Sequence, residues 1–300
     1  IGKVLTRPDG SFFKVNEVMC KMLGYSKDEF SVLTIHDITH PDDLDESLNN
    51  ISRLIKGKMA DDKFCMQKRY IRKDGESIWT RITVSLLRNP DGEPLYKMAE
   101  IEDITEQKET EEKLQYRAGF ERIIVNTSTR LLRAAPDSVD TEITASLAEM
   151  GTFAGVDRSY IFLFSEDLTE LSNTHEWCGP GIAPQIDNLQ VLSAGDTPWF
   201  MEKLKRFENV YIPDVDDLPP EAEQEKQSFQ TQEIKSLISV PLVFGDQLKG
   251  FLGFDSVRKP RDWSAEDIAL LRTMGETIIS ALEHTKYEAA LRQSEVRFKT

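Results

Sequence analysis

The sequence is poor in the side chains that do covalent or metal chemistry. Its 300 residues include only 3 cysteines and 4 histidines. Cys20, Cys65 and Cys178 are odd in number, far apart and form no CxxC pair. That excludes a disulfide framework and a zinc knuckle, and points to a reducing, cytoplasmic compartment. Positive charge is short as well: 37 Lys and Arg against 52 Asp and Glu leave a formal net charge of -15. A nucleic-acid binder needs a basic face to displace counterions, and an anionic membrane surface repels an acidic chain, so neither is expected as a direct partner. No apolar run approaches the ~18 residues that cross a bilayer, and no signal peptide is visible. P-loop, nucleophile–base and metal-hydrolase motifs are missing, and no spacing singles out an acid–base carboxylate pair.

What is present reads as globular sequence, 39% hydrophobic and 30% charged, long enough for about two domains of ~100–200 residues. It opens inside strand-like sequence and closes inside a helical pattern, as a slice of a longer protein would.

In the first half, Pro8-Asp9-Gly10 separates strands expected at 3–6 and 11–15. A helix at 16–23 is closed by Gly24, and Ser26 caps a short helix with Asp28 and Glu29 in its first turn. His40-Pro41-Asp42-Asp43 opens a helix to Ile55, with Leu44, Leu48, Ile51 and Ile55 at helical spacing. The period then changes to two. Three strands are expected at 64–71, 77–88 and 95–104, with turns at Lys73-Asp74-Gly75 and Pro90-Asp91-Gly92. This is an α+β pattern. The order of elements, Leu23-Gly24-Tyr25-Ser26, His40-Pro41-Asp42-Asp43, Lys73-Asp74-Gly75 followed by Trp79, and the closing Asp103-Ile104-Thr105 together resemble a PAS domain over 1–106.

A charged helix follows from 105 to about 132 and is broken by Pro136; a second helix runs to about 154. Strand 158–164 puts Tyr160, Phe162 and Phe164 on one face, with 171–178 as its hairpin partner. Thr197-Pro198 reads as an N-cap with proline at the first helical position. The acidic, Gln-rich stretch 219–233 is expected as a solvated helix or a lid. A hairpin pairs 237–244 with 248–257, and Ser264 caps a final helix with the seam Ile268, Leu271, Gly275, Ile278, Leu282, Thr285, Ala289. Ser236 to Pro241, Gly250-Phe251-Leu252-Gly253-Phe254-Asp255 and Trp263-Ser264-Ala265-Glu266-Asp267 resemble a GAF domain over 121–283. A linker at 107–120 joins the two, and the helix at 284–300, ending Leu291-Arg292-Gln293-Ser294-Glu295-Val296-Arg297-Phe298, resembles the lead-in to a further PAS domain. The expected fold class is therefore α+β in two domains, each an antiparallel sheet with flanking helices, followed by a long signalling helix.

The resemblance implies a regulatory sensor and signal-relay fragment of a prokaryotic multidomain protein, without catalysis of its own. A histidine kinase is the expected output. A diguanylate cyclase, a phosphodiesterase, or a ligand-free dimerisation scaffold are the alternatives. It also implies that Asp103, Ile104 and Thr105 couple the sheet to the outgoing helix. From the residues, Asp103 with Glu106 three positions on reads as a capping box. Tyr160, Phe162, His175, Trp177 and Trp199 form an aromatic set that would either line a small-molecule cleft or fill the core.

No metal, haem, flavin or bilin is expected. Pro41 pulls His40 away from helical pairing with His36, and residues three apart on a strand, such as His175 and Cys178, face opposite ways. Cys20 lacks the flavin-adduct context, and no Asn-Lys accompanies Asp255 and Glu266-Asp267 as it does in cyclic-nucleotide GAF domains. His284 has no proline after it, unlike a kinase phospho-acceptor. A parallel homodimer through the flanking helices is expected, since the seam is too apolar to leave in water.

Overall fold

A computed structural model describes residues 1–298. The chain divides into two compact units, Ile1–Tyr116 and the remainder from Arg117. Among the described residues no helix is long and apolar enough to cross a membrane.

The first unit is a five-stranded antiparallel sheet of β1 (Gly2–Thr6), β2 (Phe12–Val15), β3 (Lys63–Ile71), β4 (Ser77–Arg88) and β5 (Pro94–Asp103), in the order β2-β1-β5-β4-β3. In β4 the inward residues are Ile78, Thr80, Ile82, Val84 and Leu86, an alternation that gives the sheet one core face. Helices α1 (Glu17–Leu23), α2 (Lys27–Phe30), α3 (Ile35–Ile38) and α4 (Pro41–Ile55) fall between β2 and β3. Their boundaries are chemical. Asn16 accepts from the Met19 amide at 2.9 Å, Gly24 closes α1 at φ 77°, and Ser26 and Glu29 form a reciprocal capping box. On α4 the fully buried positions are Ser47 and Leu54, one step round from the expected apolar row.

α5 (Thr105–Arg133) contains the boundary between the units. The second unit has a six-stranded antiparallel sheet in the order β8-β7-β6-β11-β10-β9. Its strands are β6 (Arg158–Phe164), β7 (Glu170–Cys178), β8 (Leu192–Ser193), β9 (Val210–Ile212), β10 (Ser236–Phe244) and β11 (Gln247–Ser256). One face packs on α6 (Val139–Ala154) and α9 (Ala265–Phe298), in a core that includes Ile143, Leu147, Ile161, Val240, Leu252 and Leu271. The other face carries a second core with Tyr160, Phe162 and Phe251, closed by α7 (Pro198–Lys205) and α8 (Glu223–Thr231) through Phe200 and Phe229.

Two expectations are corrected here. Most of the α9 seam is not left for a partner: Leu271, Ile278 and Leu282 are buried in this chain's own core, while Ala289 at its end is exposed. A Cβ on Gly275 would come within 2.7 Å of Leu242 Cδ2, so this glycine lets α9 approach its own sheet. A 3-4 apolar spacing serves a helix lying on a sheet as well as a coiled coil. The stretch 219–233 is not simply solvated either, because α8 is docked by a fully buried Glu225 and by Phe229. The expected helix at 284–300 is described as far as Phe298, and residues 299–300 lie outside the described residues.

Candidate ligand pocket and helix joint

The second unit holds a pocket of about 80 Å³ between its sheet and the α7–α8 side. At ~10–15 Å³ per water, it has room for several waters or a small ligand. The apolar wall is aromatic: Phe162 and Phe251 stack at 4.8 Å, and Phe200 meets Phe251 edge-on at 5.1 Å.

The polar end is built by cross-strand pairing. Arg158 and Asp255 are directly opposite on β6 and β11, and Tyr160 is opposite Glu176 on β7. Side chains opposite each other on antiparallel strands share a face, so these four meet in the pocket wall. Tyr160 Oη donates to Asp255 Oδ1 at 2.7 Å, and Arg158 Nη1 lies 3.8 Å from Asp255 Oδ2. Arg158 Nη2 donates to the Gln232 carbonyl at 2.7 Å, while its buried Nε has no hydrogen-bond partner among the described residues. Burial pushes the Asp255 carboxyl up to about 7, against the pull of Arg158 and Tyr160. Burial and the neighbouring Asp255 carboxylate also raise the Tyr160 phenol. Glu176 Oε2 accepts from the amides of Gln185 and Ile186 at 2.8 and 3.0 Å, fixing the segment that follows β7.

A buried carboxylate ties α8 to α7 on the side facing the sheet across the pocket. Glu225 on α8 has no exposure, and its Oε1 accepts from the Trp199 and Phe200 amides at 2.8 and 3.2 Å. It thereby does the capping that Thr197 was expected to do; Thr197 makes no side-chain cap bond.

The structure divides the expected aromatic set. Tyr160 and Phe162 line this pocket, whereas His175 and Trp177 do not. The pairing of Tyr160 with Glu176 and of Ile161 with His175 sends His175 and Trp177 to the helix-packed face. A bulge between Ile161 and Phe162 then brings Asn173, rather than Thr174, opposite Phe162. His175 Nε2 is 3.2 Å from Asp140 Oδ1, and burial lowers the imidazole's pKa. Trp177 lies against α6, where a Cβ on Gly151 would come within 2.3 Å of its ring. Trp199 sits half-buried on α7 with Lys203 Nζ 4.8 Å above its ring, outside the pocket wall. Burial pushes the Cys178 thiol up to about 11, away from the reactive thiolate. Arg158, Asp255 and Glu225 were not singled out as pocket residues by sequence reasoning. Charged residues in otherwise apolar strand register (Arg158, Asp255) were the available signal for the first two; nothing local marks Glu225.

The joint at the end of the first unit is tied by Trp79. Ile104, 2% exposed, donates its amide to the Trp79 carbonyl at 2.9 Å. The Trp79 amide donates to Thr105 Oγ1 at 3.0 Å, and Thr105 Oγ1 donates to Asp103 Oδ1 at 2.6 Å. Asp103 Oδ1 also accepts from the Thr105 amide at 3.0 Å, and its other oxygen lies 3.6 Å from Arg72. The expected Asp103–Glu106 capping box does not form. The helix starts at Thr105, so Ile104 holds the cap position and Asp103 makes a tighter turn with the residue two positions on.

Comparison with known proteins agrees with this architecture. Residues 12–98 match the PAS fold model and residues 138–282 the GAF domain model. A methanogenesis regulatory histidine kinase of Methanothrix harundinacea is 33% identical over 161 residues, 51% of this chain and 17% of that protein. A methyl sulfide methyltransferase-associated sensor of Methanosarcina acetivorans is 26% identical over 284 residues, 93% of this chain and 27% of its own length. An Escherichia coli protein named as a probable diguanylate cyclase is 40% identical over 112 residues, 37% of this chain and 10% of its length. The chain thus spans between 10% and 27% of these relatives. Among solved structures, the phycocyanobilin-bound GAF domain of a cyanobacterial phytochrome is 20% identical with TM-score 0.49, covering 56% of this chain and 96% of that one. With its PAS fold model followed by its GAF model, each on its own antiparallel sheet, the chain is a tandem PAS–GAF sensor region.

Proposed function

We propose that this chain senses a small molecule in its GAF unit and relays the event to the output domain of a larger signalling protein, a histidine kinase. The observation that carries the reading is the pocket itself. An aromatic wall faces a buried guanidinium that retains an unsatisfied donor, the combination of apolar lining and few polar groups that suits binding rather than turnover. The ligand is small and carries a hydrogen-bond acceptor for Arg158. Histidine kinases among the relatives favour that output. The cyclase relative supports the second reading, a diguanylate cyclase, with a phosphodiesterase as its counterpart. The relay runs through Asp103, Ile104 and Thr105 into α5. The protein acts in the cytoplasm as a homodimer, and exposed apolar residues outside the packed seam, Val125 and Leu132 on α5 and Tyr287 and Leu291 on α9, supply the contact. Autophosphorylation of the full-length protein on histidine, altered by Arg158→Met with the fold retained, supports the kinase reading. Cyclic dinucleotide synthesis from GTP supports the cyclase. An output indifferent to every pocket substitution overturns ligand sensing and leaves a dimerisation scaffold.

A further inference from the structure

The PAS unit contains a second cavity, about 30 Å³, under the core face of its sheet. Its apolar wall includes Phe12, Ile51, Met66, Ile82 and Val84. Two lysines also line it, Lys68 from β3 and Lys97 from β5. Both occupy inward register, two residues from Tyr70 and Ala99 respectively, where the alternation calls for an apolar side chain. They are 3% and 2% exposed.

No carboxylate among the described residues comes within ion-pair distance of either ammonium. Lys68 Nζ donates to the hydroxyls of Ser47 and Thr39 at 2.7 and 3.1 Å, with the Tyr70 ring 4.8 Å away. Lys97 Nζ reaches only the Pro8 carbonyl, at 3.4 Å. The acid acting on Lys68, Asp43, is itself held by Arg69 at 2.8 Å, and the acid acting on Lys97, Asp9, is engaged with Ser11. Burial lowers both lysines, Lys68 to about 7, and each ammonium that stays charged needs an anion.

We propose that this cavity binds a small organic carboxylate, its oxygens held by Lys68, Lys97 and the Ser47 hydroxyl and its short carbon chain against the apolar wall. Two convergent ammonium groups and a hydroxyl match the two oxygens of one carboxylate. A phosphate would turn further oxygens toward Phe12, Ile82 and Val84 without donors. At ~10–15 Å³ per water-sized group, a cavity of about 30 Å³ holds two or three such groups, which suits a carboxylate of one or two carbons. This site is independent of the GAF pocket and stands or falls without it.

The test is thermal unfolding of the 300-residue chain in sodium formate and sodium acetate, against sodium chloride at equal ionic strength. A ligand that binds only the folded state raises the melting temperature. A rise with a carboxylate over chloride is expected. It should weaken about tenfold in apparent affinity in Lys68→Met and Lys97→Met and persist in Arg158→Met. No rise in the unaltered chain, or a rise undiminished in both lysine variants, overturns the site. Should a lysine variant fail to fold, nitrogen-15 spectra of the lysine ammonium groups in the unaltered chain decide. Buried ammonium signals that shift with acetate support it, and signals indifferent to acetate overturn it.

Discussion

The two units bury positive charge in opposite ways. The GAF unit surrounds Arg158 with Asp255, Tyr160 and a backbone carbonyl, so its guanidinium is compensated inside the fold. The PAS unit gives Lys68 and Lys97 only hydroxyls and a carbonyl. A charge compensated within the chain contributes to structure with or without ligand; one left uncompensated keeps its best partner outside the chain. The difference also shows in side-chain choice, since arginine offers a fork for carboxylate and carbonyl together, while lysine is a point charge whose proton is more easily lost.

The largest effect is expected at Asp255. At pH 8, Asp255→Ala strands Arg158 and should lower stability by about 3–5 kcal/mol, read from urea unfolding. The double variant Arg158→Met with Asp255→Leu should recover most of that loss. If it remains as unstable as the single variant, the pair is not what compensates the charge.

Next in size is the pH response. The folded Lys68 pKa of about 7 lies below its ordinary 10.5, so the unfolded chain holds the extra proton in between. Stability should therefore rise with pH across that window, by up to about 1.4 kcal/mol per unit, and the rise should flatten in Lys68→Met. Asp255 behaves oppositely. Its folded value of about 7 lies above 3.8, so its contribution is full below the lower value and is lost as pH rises through the higher one. Urea midpoints of the wild type, Lys68→Met and Asp255→Asn across pH separate the two slopes; a single common slope would merge what the comparison keeps apart.

A buried carboxylate on α8 gives an intermediate effect. Glu225 is held by two amides on Oε1 rather than by a cation, and its buried Oε2 has no hydrogen-bond partner among the described residues. Glu225→Ala should cost about 1–2 kcal/mol and speed hydrogen exchange at the start of α7, whereas Glu225→Gln keeps an acceptor and most of the protection. The smallest effect belongs to the partly exposed Asp103. Asp103→Ala should lower stability by about 1 kcal/mol while abolishing the stimulus response of the full-length protein. An intact response would confine Asp103 to starting the helix.

Elements governed by local chemistry were legible in the sequence. The strand at 77–88 has both ends marked because its inward residues alternate without interruption, and the helix at 16–23 has its end marked by Gly24, while Asn16, read as its first residue, is its N-cap. What escaped depended on partners distant in sequence. The facing of His175 is set by β6, through a pairing that no local pattern in β7 specifies. Glu225 looked like one more acid in a solvated stretch until α7 presented its amides. The α9 seam had the spacing of a coiled coil, and only the neighbouring sheet shows what it packs against. Lys68 and Lys97 are not singled out by the sequence reading, although inward register at those positions follows from the strand period.

Trp79 limits how the start of α5 can move against the PAS sheet. Its carbonyl and its amide bind consecutive residues, Ile104 and the Thr105 side chain, at 2.9 and 3.0 Å. Two adjacent bonds to one residue make a pivot. The first turn of α5 can swing or twist about that point with both bonds bent, but sliding along its own axis by one residue's rise would break both at once. The relay proposed above would therefore pass an angle from the sheet to the helix, and a piston stroke is the motion this attachment resists.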